Sequence, residues 1–389
     1  MNFSPRTTIT LTFIAFGSVV GINVGALAVL QKQAGVTPLI FGYMAALGML
    51  SNIVVMGLGG FINRHFDHRS VLLFILPVAF AGLILTLLAQ SVLSFAIAII
   101  LFNLALGGLD LFMNAEAAVV EHASPKPIFS SFHGAALFSI GMFSIIGSTI
   151  AIWLGPLWGM LAPLPLVALA IYAIHKTIAH RPIVEHAEKP KPVQLPIKIL
   201  LFIGIVLGLN VACELTCIQW SGRLLAELAP NLAAYSGLGV TFYGLCNGTT
   251  RLFADRLRSR FGDFKLMMSS LLVAILGLAV LATTPGFLIS VLAFATAGVG
   301  LASIFPCLFS ITAKLVPEAR ASALAFVSAV GGAPRILLPI GLGMLAQNYG
   351  LNAIYGAAAL VAAVALGFTY LAAKESEARV SPRLEYQNR

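Results

Sequence analysis

The chain consists of apolar stretches that are each long enough to cross a lipid bilayer. A membrane-spanning helix needs about 20 mainly apolar residues, and such stretches recur along the whole sequence between short polar connections. They cover residues 7–30, 38–62, 70–90, 92–120, 128–153, 157–176, 197–221, 232–255, 264–284, 286–312, 320–346 and 350–373. The sequence therefore predicts an all-α polytopic membrane protein with twelve transmembrane helices.

Composition excludes the other fold classes. Apolar residues make up 59% of the chain and charged residues only 10%, whereas soluble proteins carry about 25% charged residues. A water-soluble fold of this composition would expose large apolar patches, and a disordered chain would be more polar. The four cysteines lie in apolar stretches without metal-ligand spacing, so we interpret them as packing residues and expect neither a metal nor a cofactor.

A polar segment divides the twelve stretches into two sets of six. Residues 177–196 are rich in charge and proline, which is typical of a linker rather than of another helix. We expect a six-helix N-terminal bundle over 1–176, a cytoplasmic linker over 177–196, a six-helix C-terminal bundle over 197–373 and a cytoplasmic tail over 374–389.

The distribution of Lys and Arg predicts the orientation. Connections on one side of the predicted bilayer hold nearly all of these residues, and those on the other side hold only Lys32 and Arg223. Cytoplasmic loops accumulate Lys and Arg, so both termini and the linker are predicted to be cytoplasmic. The same bias explains the net charge of +9 and gives no reason to expect a nucleic-acid partner.

The two sets of helices also resemble each other in sequence. Residues 78–83 read Val-Ala-Phe-Ala-Gly-Leu, and residues 273–278 read Val-Ala-Ile-Leu-Gly-Leu. The preceding loops carry Asn63-Arg64 and Asp255-Arg256. Two similar halves with a repeated basic loop are typical of transporters that rock around a central site.

With these features the chain resembles the major facilitator superfamily. Residues 248–256 carry that superfamily's Asp-Arg signature, and residues 59–64 carry a partial copy in which Asn63 replaces the usual Asp. The resemblance implies two pseudo-symmetric six-helix bundles and gating roles in these loops. The implied gating residues are Asn63, Arg64, Arg251, Asp255 and Arg256. Arg251 lies one turn before Asp255, which favours a structural ion pair.

Several further residues resemble the bacterial MosC-like (YbjJ-type) branch of the superfamily. They are Asp110, Met113-Asn114, Glu121, His133-Gly134, Glu214 and Trp220-Ser221. Gln219 departs from the branch, which usually has an acidic residue there. The resemblance implies a bacterial inner-membrane protein and a sugar-like solute, since the branch is associated with the inositol amine rhizopine.

One face of the fourth predicted helix is polar. Asn103, Asp110, Asn114 and Glu121 follow at intervals of 7, 4 and 7 residues, which places them on one helical face. A charge within the bilayer costs at least about 2.5–3.5 kcal/mol, so this face must contact water or other helices. We interpret Asp110 as a solute or proton site. Asn103 and Asn114 fit solute binding or interhelical hydrogen bonds equally.

The cytoplasmic end of this face suggests a proton relay. Glu121 lies there, and His133 is at a comparable depth at the start of the fifth helix. A histidine there could relay protons, although a hydrogen-bonded structural histidine fits as well.

The seventh helix repeats the pattern with Asn210 and Glu214. A carboxyl group in apolar surroundings can bind and release a proton near neutral pH, so Asp110 or Glu214 could couple transport to protons. Alternatively, Glu214 is a permanent partner of Arg335. That arginine follows Pro334 at mid-membrane and, because it keeps its charge, needs a carboxylate or an anionic solute.

Three further residues complete the candidate site. Ser303 lies in a neutral polar stripe on the tenth helix, and Asn23 is the single polar candidate on the first. Trp220 could stack on a sugar ring or anchor the helix at the membrane interface.

The sequence thus predicts a non-enzymatic secondary transporter of a small hydrophilic solute that works by alternating access, with a proton as the expected coupling ion. We expect the functional unit to be a monomer. An efflux antiporter of the same fold is the alternative, although Asn103 stands where that group has an arginine. Motifs of intramembrane enzymes are absent from the sequence. A solute sensor without transport also remains open.

Overall fold

Helices account for nearly all residues in the computed structural model, which describes residues 3–124, 128–179 and 195–387. The α-helices are α1 (Pro5–Gln33), α2 (Pro38–His65), α3 (His68–Leu87), α4 (Val92–His122), α5 (Phe129–Trp153), α6 (Leu164–Thr177), α7 (Ile197–Leu228), α8 (Leu238–Phe261), α9 (Asp263–Ala282), α10 (Phe287–Ala302), α11 (Ile304–Leu315), α12 (Arg320–Val330), α13 (Gly332–Tyr349) and α14 (Leu351–Gln387). Short 3₁₀ helices cover Pro156–Leu161, Pro230–Tyr235 and Pro317–Ala319.

These helices form twelve spanning segments within the described residues. The pairs α10–α11 and α12–α13 each make one segment, and Pro156–Leu161 continues into α6. Eleven segments are long and apolar enough to cross a membrane. The twelfth is α8, whose hydropathy is lowered by charged residues that include Arg251. The predicted fold class of twelve spans in two sets of six is therefore confirmed.

Side-chain caps begin the first four helices. Ser4, Thr37, Asp67 and Ser91 each accept a hydrogen bond from a backbone N–H in the first turn of α1, α2, α3 and α4. Such caps satisfy N–H groups that have no partner within the helix. Large apolar side chains such as Phe74 and Leu288 remain largely exposed on the outer surface, as a lipid-facing surface requires.

The sequence predicts one continuous tenth helix over 286–312. The structure instead shows a break at Ser303, between α10 and α11. Pro306 explains the break, because it has no N–H to donate to the carbonyl of Ala302 four residues earlier. The predicted neutral stripe is divided accordingly. Thr296 in α10 bonds to the carbonyl of Leu292, and Ser310 in α11 donates to Asp263.

Two other helices also differ from the expected bounds. The eleventh segment breaks at Gly331, where the sequence shows a Gly-Gly-Ala-Pro run. The last helix, α14, continues to Gln387, through most of the segment that we expected to be a tail. Most of the predicted linker lies outside the described residues, as does Lys126, one of the basic residues used to predict the orientation.

The two halves, α1–α6 and α7–α14, are in close contact on one side of the membrane. We call the side where α1 begins the termini side, and the opposite side the far side. On the far side a Cβ added to Gly42 in α2 would lie 2.9 Å from the Cα of Gly343 in α13. Ser148 in α5 donates to the carbonyl of Ala234 at 2.8 Å and accepts from the N–H of Gly237 at 3.1 Å.

Candidate functional site

A cavity of about 350 Å³ lies at the centre of the protein, between the halves. It is lined by α1, α2, α4 and α5 from the first half and by α7 from the second. Its polar lining residues are Asn23, Asn52, Asn103, Asp110, Glu214 and Gln219. The structure thus brings together four of the residues selected from the sequence. We call this space the central cavity.

Asp110 is half-buried in the wall of the central cavity. Its Oδ1 accepts a hydrogen bond of 2.9 Å from the Asn114 amide, one turn along α4. Asn114 therefore bonds within its own helix, which neither of the two roles considered for it had predicted. No cation lies within ion-pairing distance of Asp110 among the described residues. This carboxyl group is held by one neutral donor.

The other amides of the first half retain hydrogen-bonding capacity. Asn103 donates to the carbonyl of Ile99 in its own helix at 2.9 Å and packs against Gly48 of α2. Asn23 is buried, and its amide nitrogen has no partner among the described residues. An unpaired buried donor is destabilising, so a polar ligand in the cavity would satisfy it.

Glu214 is held differently from Asp110. Its Oε1 accepts hydrogen bonds from the Arg251 guanidinium at 2.9 Å and from the Asn210 amide at 3.4 Å. Arg251 also donates to Asn247 in α8 at 2.8 Å. The expected pair Arg251–Asp255 and the alternative pair Glu214–Arg335 are therefore both absent from this structure. The side chain of Arg251 points toward α7. It therefore forms its ion pair with Glu214 and not with Asp255 of its own helix.

Arg335 makes no ion pair among the described residues, and its Nε is buried without a partner. Its charge nevertheless interacts electrostatically with those of Glu214 and Asp110. Arg335 does not line the central cavity. The cationic group therefore lies near both carboxylates but is bonded to neither.

Four other candidates are also absent from the lining of the central cavity, namely Asn114, Asn210, Trp220 and Ser303. Trp220 is buried against Phe41 of α2, with ring centroids 5.0 Å apart, so it closes the far side instead of anchoring at a lipid interface. Ser303 is buried at the break between α10 and α11, and its hydroxyl has no partner among the described residues. Phe16, Phe41 and Phe102 supply aromatic surface to the cavity instead.

A second cavity, also of about 350 Å³, opens between the halves on the termini side. We call it the termini-side cavity. Glu121 and His133 line it from the first half, and Arg251, Asp255 and Arg258 line it from the second. Glu121 accepts hydrogen bonds from the backbone N–H groups of Ile128 and Phe129, so it caps the start of α5. His133 packs edge-on against Phe13, at 5.2 Å between ring centroids.

The predicted gating loop of the second half forms a charge network within that half. Asp255 pairs with Arg258 at 2.8 Å, and Arg258 also pairs with Asp263 at 2.8 Å. Lys314 of α11 bonds to the same Asp263 at 2.7 Å. Arg256 is exposed. Among the described residues no charge pair joins the two halves on the termini side.

The corresponding loop of the first half is held by a histidine. His68 lies 2.8 Å from the amide oxygen of Asn63 and 2.7 Å from the carboxylate of Glu116 in α4. Glu116 is thus a structural partner of the neighbouring helix, as its position off the polar face of α4 indicates. Arg64 is exposed. Asn63 is therefore held by His68 in this structure.

Sequence reasoning missed several residues that line the central cavity. Asn52 of α2 is half-buried there, and Gly107 of α4 packs against its backbone. In the apolar middle of α2 only the adjacent Ser51 accompanies Asn52, so no periodic pattern marks it. Gln219 was noted only as a departure from the branch, yet it also lines the cavity.

Comparison with known proteins agrees with this architecture. The family model of the Major Facilitator Superfamily matches residues 224–387. An uncharacterized MFS-type transporter of Yersinia pestis is 27% identical over 326 residues, which are 82% of this chain and 84% of that protein. The membrane protein MosC of Rhizobium meliloti is 23% identical over 363 residues, which are 90% of this chain and 87% of MosC.

Solved structures show the same fold. A mutant of the nucleoside transporter NupG superposes with a TM-score of 0.76 at 14% identity, over 95% of this chain and 100% of NupG. A bacterial homologue of the human lysosomal transporter Spinster, inward-facing and unoccupied, gives a TM-score of 0.70 at 12% identity, over 94% of this chain and 96% of that one. The chain therefore has the major facilitator fold and, as the sequence indicates, resembles the MosC-like branch of that superfamily's transporters.

Proposed function

We propose that this protein is a secondary active transporter of a small hydrophilic solute, such as a sugar, a polyol or an amino-sugar-like molecule, which binds in the central cavity. The observation that carries the proposal is the set of incompletely bonded polar groups at membrane depth, Asp110, Asn103 and Asn23, around a cavity of about 350 Å³. Small-molecule sites combine an apolar wall with a few placed polar groups. Phe16, Phe41 and Phe102 offer faces for the apolar side of a ring.

Transport proceeds by alternating access between two moving halves. The bundles of residues 1–176 and 197–373 act as units joined by the linker 177–196, with residues 374–389 as a tail. The excess of Lys and Arg in the connections of the termini side supports a cytoplasmic location for that side in a bacterial inner membrane. The cavity on that side and the far-side contacts then correspond to an inward-facing state.

Asp110 carries the coupled proton. It lines the cavity and has a single neutral hydrogen-bond donor, whereas Glu214 is bonded to Arg251. A carboxylate with a bonded cation keeps its negative charge, so protonation is easier at a carboxyl group without one. The relay candidate Glu121 is bonded to the start of α5, which leaves His133 as the better relay toward the termini side.

A binding screen followed by transport in proteoliposomes tests the function. Purified protein is screened by thermal shift against sugars, polyols, amino sugars and nucleosides, the last because NupG is a nucleoside transporter. A ligand that stabilises the protein is then tested for uptake driven by a pH gradient. We expect Asn103→Ala to weaken its binding and Ser51→Ala, a change to an exposed serine of α2, to leave binding unchanged.

Specific outcomes would contradict the proposal. Binding that is insensitive to Asn103→Ala would place the solute outside the central cavity. A ligand that binds without crossing the membrane would indicate a sensor, and accumulation that is unaffected by a protonophore would remove the proton as coupling ion.

A further inference from the structure

The Glu214–Arg251 ion pair lies between the two cavities. Glu214 lines the central cavity, and Arg251 lines the termini-side cavity. Their bond, 2.9 Å from nitrogen to oxygen, therefore separates the two spaces. The two side chains are 17% and 10% exposed, so both are largely buried.

Arg251 can leave Glu214 without losing all of its partners. Its Nε donates to Asn247, and its guanidinium lies 6.0 Å from the ring centroid of Phe305. Asp255 lies one turn further along α8 and lines the same termini-side cavity. An arginine one turn from a carboxylate can form an ion pair with it, so Asp255, which here pairs with Arg258, offers Arg251 a second partner on the termini side.

The first half has a glycine at the position that matches Arg251. Asn63-Arg64 corresponds to Asp255-Arg256, so the position of Arg251 corresponds to Gly59 in α2. A Cβ at Gly59 would meet the side chain of Leu111. At this position the first half therefore has no arginine that could pair with a carboxylate of a cavity-lining helix.

We infer that Arg251 is a movable partition between the two cavities. It is bonded to Glu214 when the passage is closed and moves toward Asp255 when the passage opens. The consequence for solute movement rests on the proposed transport function, but the partition itself can be measured without any solute.

Thiol labelling from the termini side tests this directly. A single cysteine replaces Leu106, which lines the central cavity, in the full chain without Cys213, Cys217, Cys246 and Cys307. Ser130→Cys, in the termini-side cavity, serves as the freely reachable reference. A membrane-impermeant maleimide is added on the termini side of oriented vesicles, and the rates of reaction are compared.

We expect Glu214→Gln and Arg251→Gln each to raise the labelling rate at Leu106→Cys by about tenfold, while the rate at Ser130→Cys stays unchanged. Asp255→Asn is expected to lower the rate at Leu106→Cys by about threefold, because the open position loses its partner. Lys198→Gln is the matched control, since it breaks another ion pair of α7, the Lys198–Glu375 pair of 2.7 Å, away from both cavities.

Equal labelling of Leu106→Cys with and without the pair would overturn the inference, as would an increase of the same size in Lys198→Gln. An unchanged rate in Asp255→Asn would refute the second position of Arg251. If Arg251→Gln does not fold, as judged by size-exclusion chromatography, Glu214→Gln gives the same test with the arginine kept. None of these outcomes depends on the identity of the solute, so a failed partition is distinguishable from a failed transport function.

Discussion

The two halves contribute carboxyl groups of different character to one cavity. Asp110 on α4 is bonded to the neutral amide of Asn114, and Glu214 on α7 is bonded to the guanidinium of Arg251. Both residues are half-buried and line the same space. The two carboxyl groups differ because of their neighbours. Arg251 of α8 pairs with Glu214 of α7, whereas the position that matches Arg251 in α2 is Gly59. The first half therefore presents a carboxyl group with a neutral partner, while the second half presents an ion pair.

The largest effect is expected from Asp110→Asn. The amide mimics the protonated form, so solute exchange across the membrane should persist while accumulation driven by a pH gradient falls about 100-fold or more. Counterflow and gradient-driven uptake in proteoliposomes measure the two activities separately. Glu227→Gln, at an exposed carboxylate of α7, is the control and should keep both. Loss of exchange together with accumulation would make Asp110 a solute-binding residue only.

The ion pair of the second half should appear as a coupling energy. Glu214→Gln and Arg251→Gln each leave one largely buried group without its partner, and we expect each to lower the free energy of unfolding by about 1–3 kcal/mol. The double variant should lose less than the sum of the two. Chemical unfolding of the four proteins in detergent completes the cycle. Strict additivity would show that the pair contributes nothing to folding.

A smaller effect should come from the wall of the cavity in the first half. A methyl group at Gly48 would lie 2.7 Å from the Asn103 amide nitrogen, so Gly48→Ala displaces that amide toward the cavity. We expect solute affinity to fall about three- to tenfold, as measured by titration of the thermal shift. Gly57→Ala, in the same helix with no neighbour within 4 Å, should bind normally. Equal affinities would exclude Asn103 from the binding surface.

The smallest effect is expected at the exposed Lys198–Glu375 pair. Its lysine side chain is 66% exposed, and ion pairs of this kind contribute about 0–1 kcal/mol. Lys198→Ala should therefore change the unfolding free energy by less than about 0.5 kcal/mol. A larger change would mean that exposure is a poor guide to the strength of ion pairs in this protein. Burial could then not explain why the Glu214–Arg251 pair contributes more to stability than the Lys198–Glu375 pair.

The number and placement of the spans could be predicted from the sequence because each depends on local composition. The position of Asp110 in the cavity could also be predicted, since helical periodicity fixes the polar face of α4. Side-chain contacts between different helices could not be predicted from the sequence. Arg251 is near Asp255 in sequence, but its side chain meets Glu214, and only the packing of α7 against α8 decides between them. Asn52 and the burial of Trp220 were missed for the same reason.

The glycine contact between α2 and α13 has a consequence for kinetics. Gly42 and Gly343 meet backbone to backbone, with no side chains interlocked between them. At this contact the two helices can part without any change of rotamer, so the glycine pair itself adds little to the activation barrier. The barrier then resides in a few discrete contacts nearby, such as the hydrogen bonds of Ser148 and the edge-on packing of Trp220 on Phe41. In the proposed transport cycle, weakening one of these contacts should therefore speed the opening of the far side.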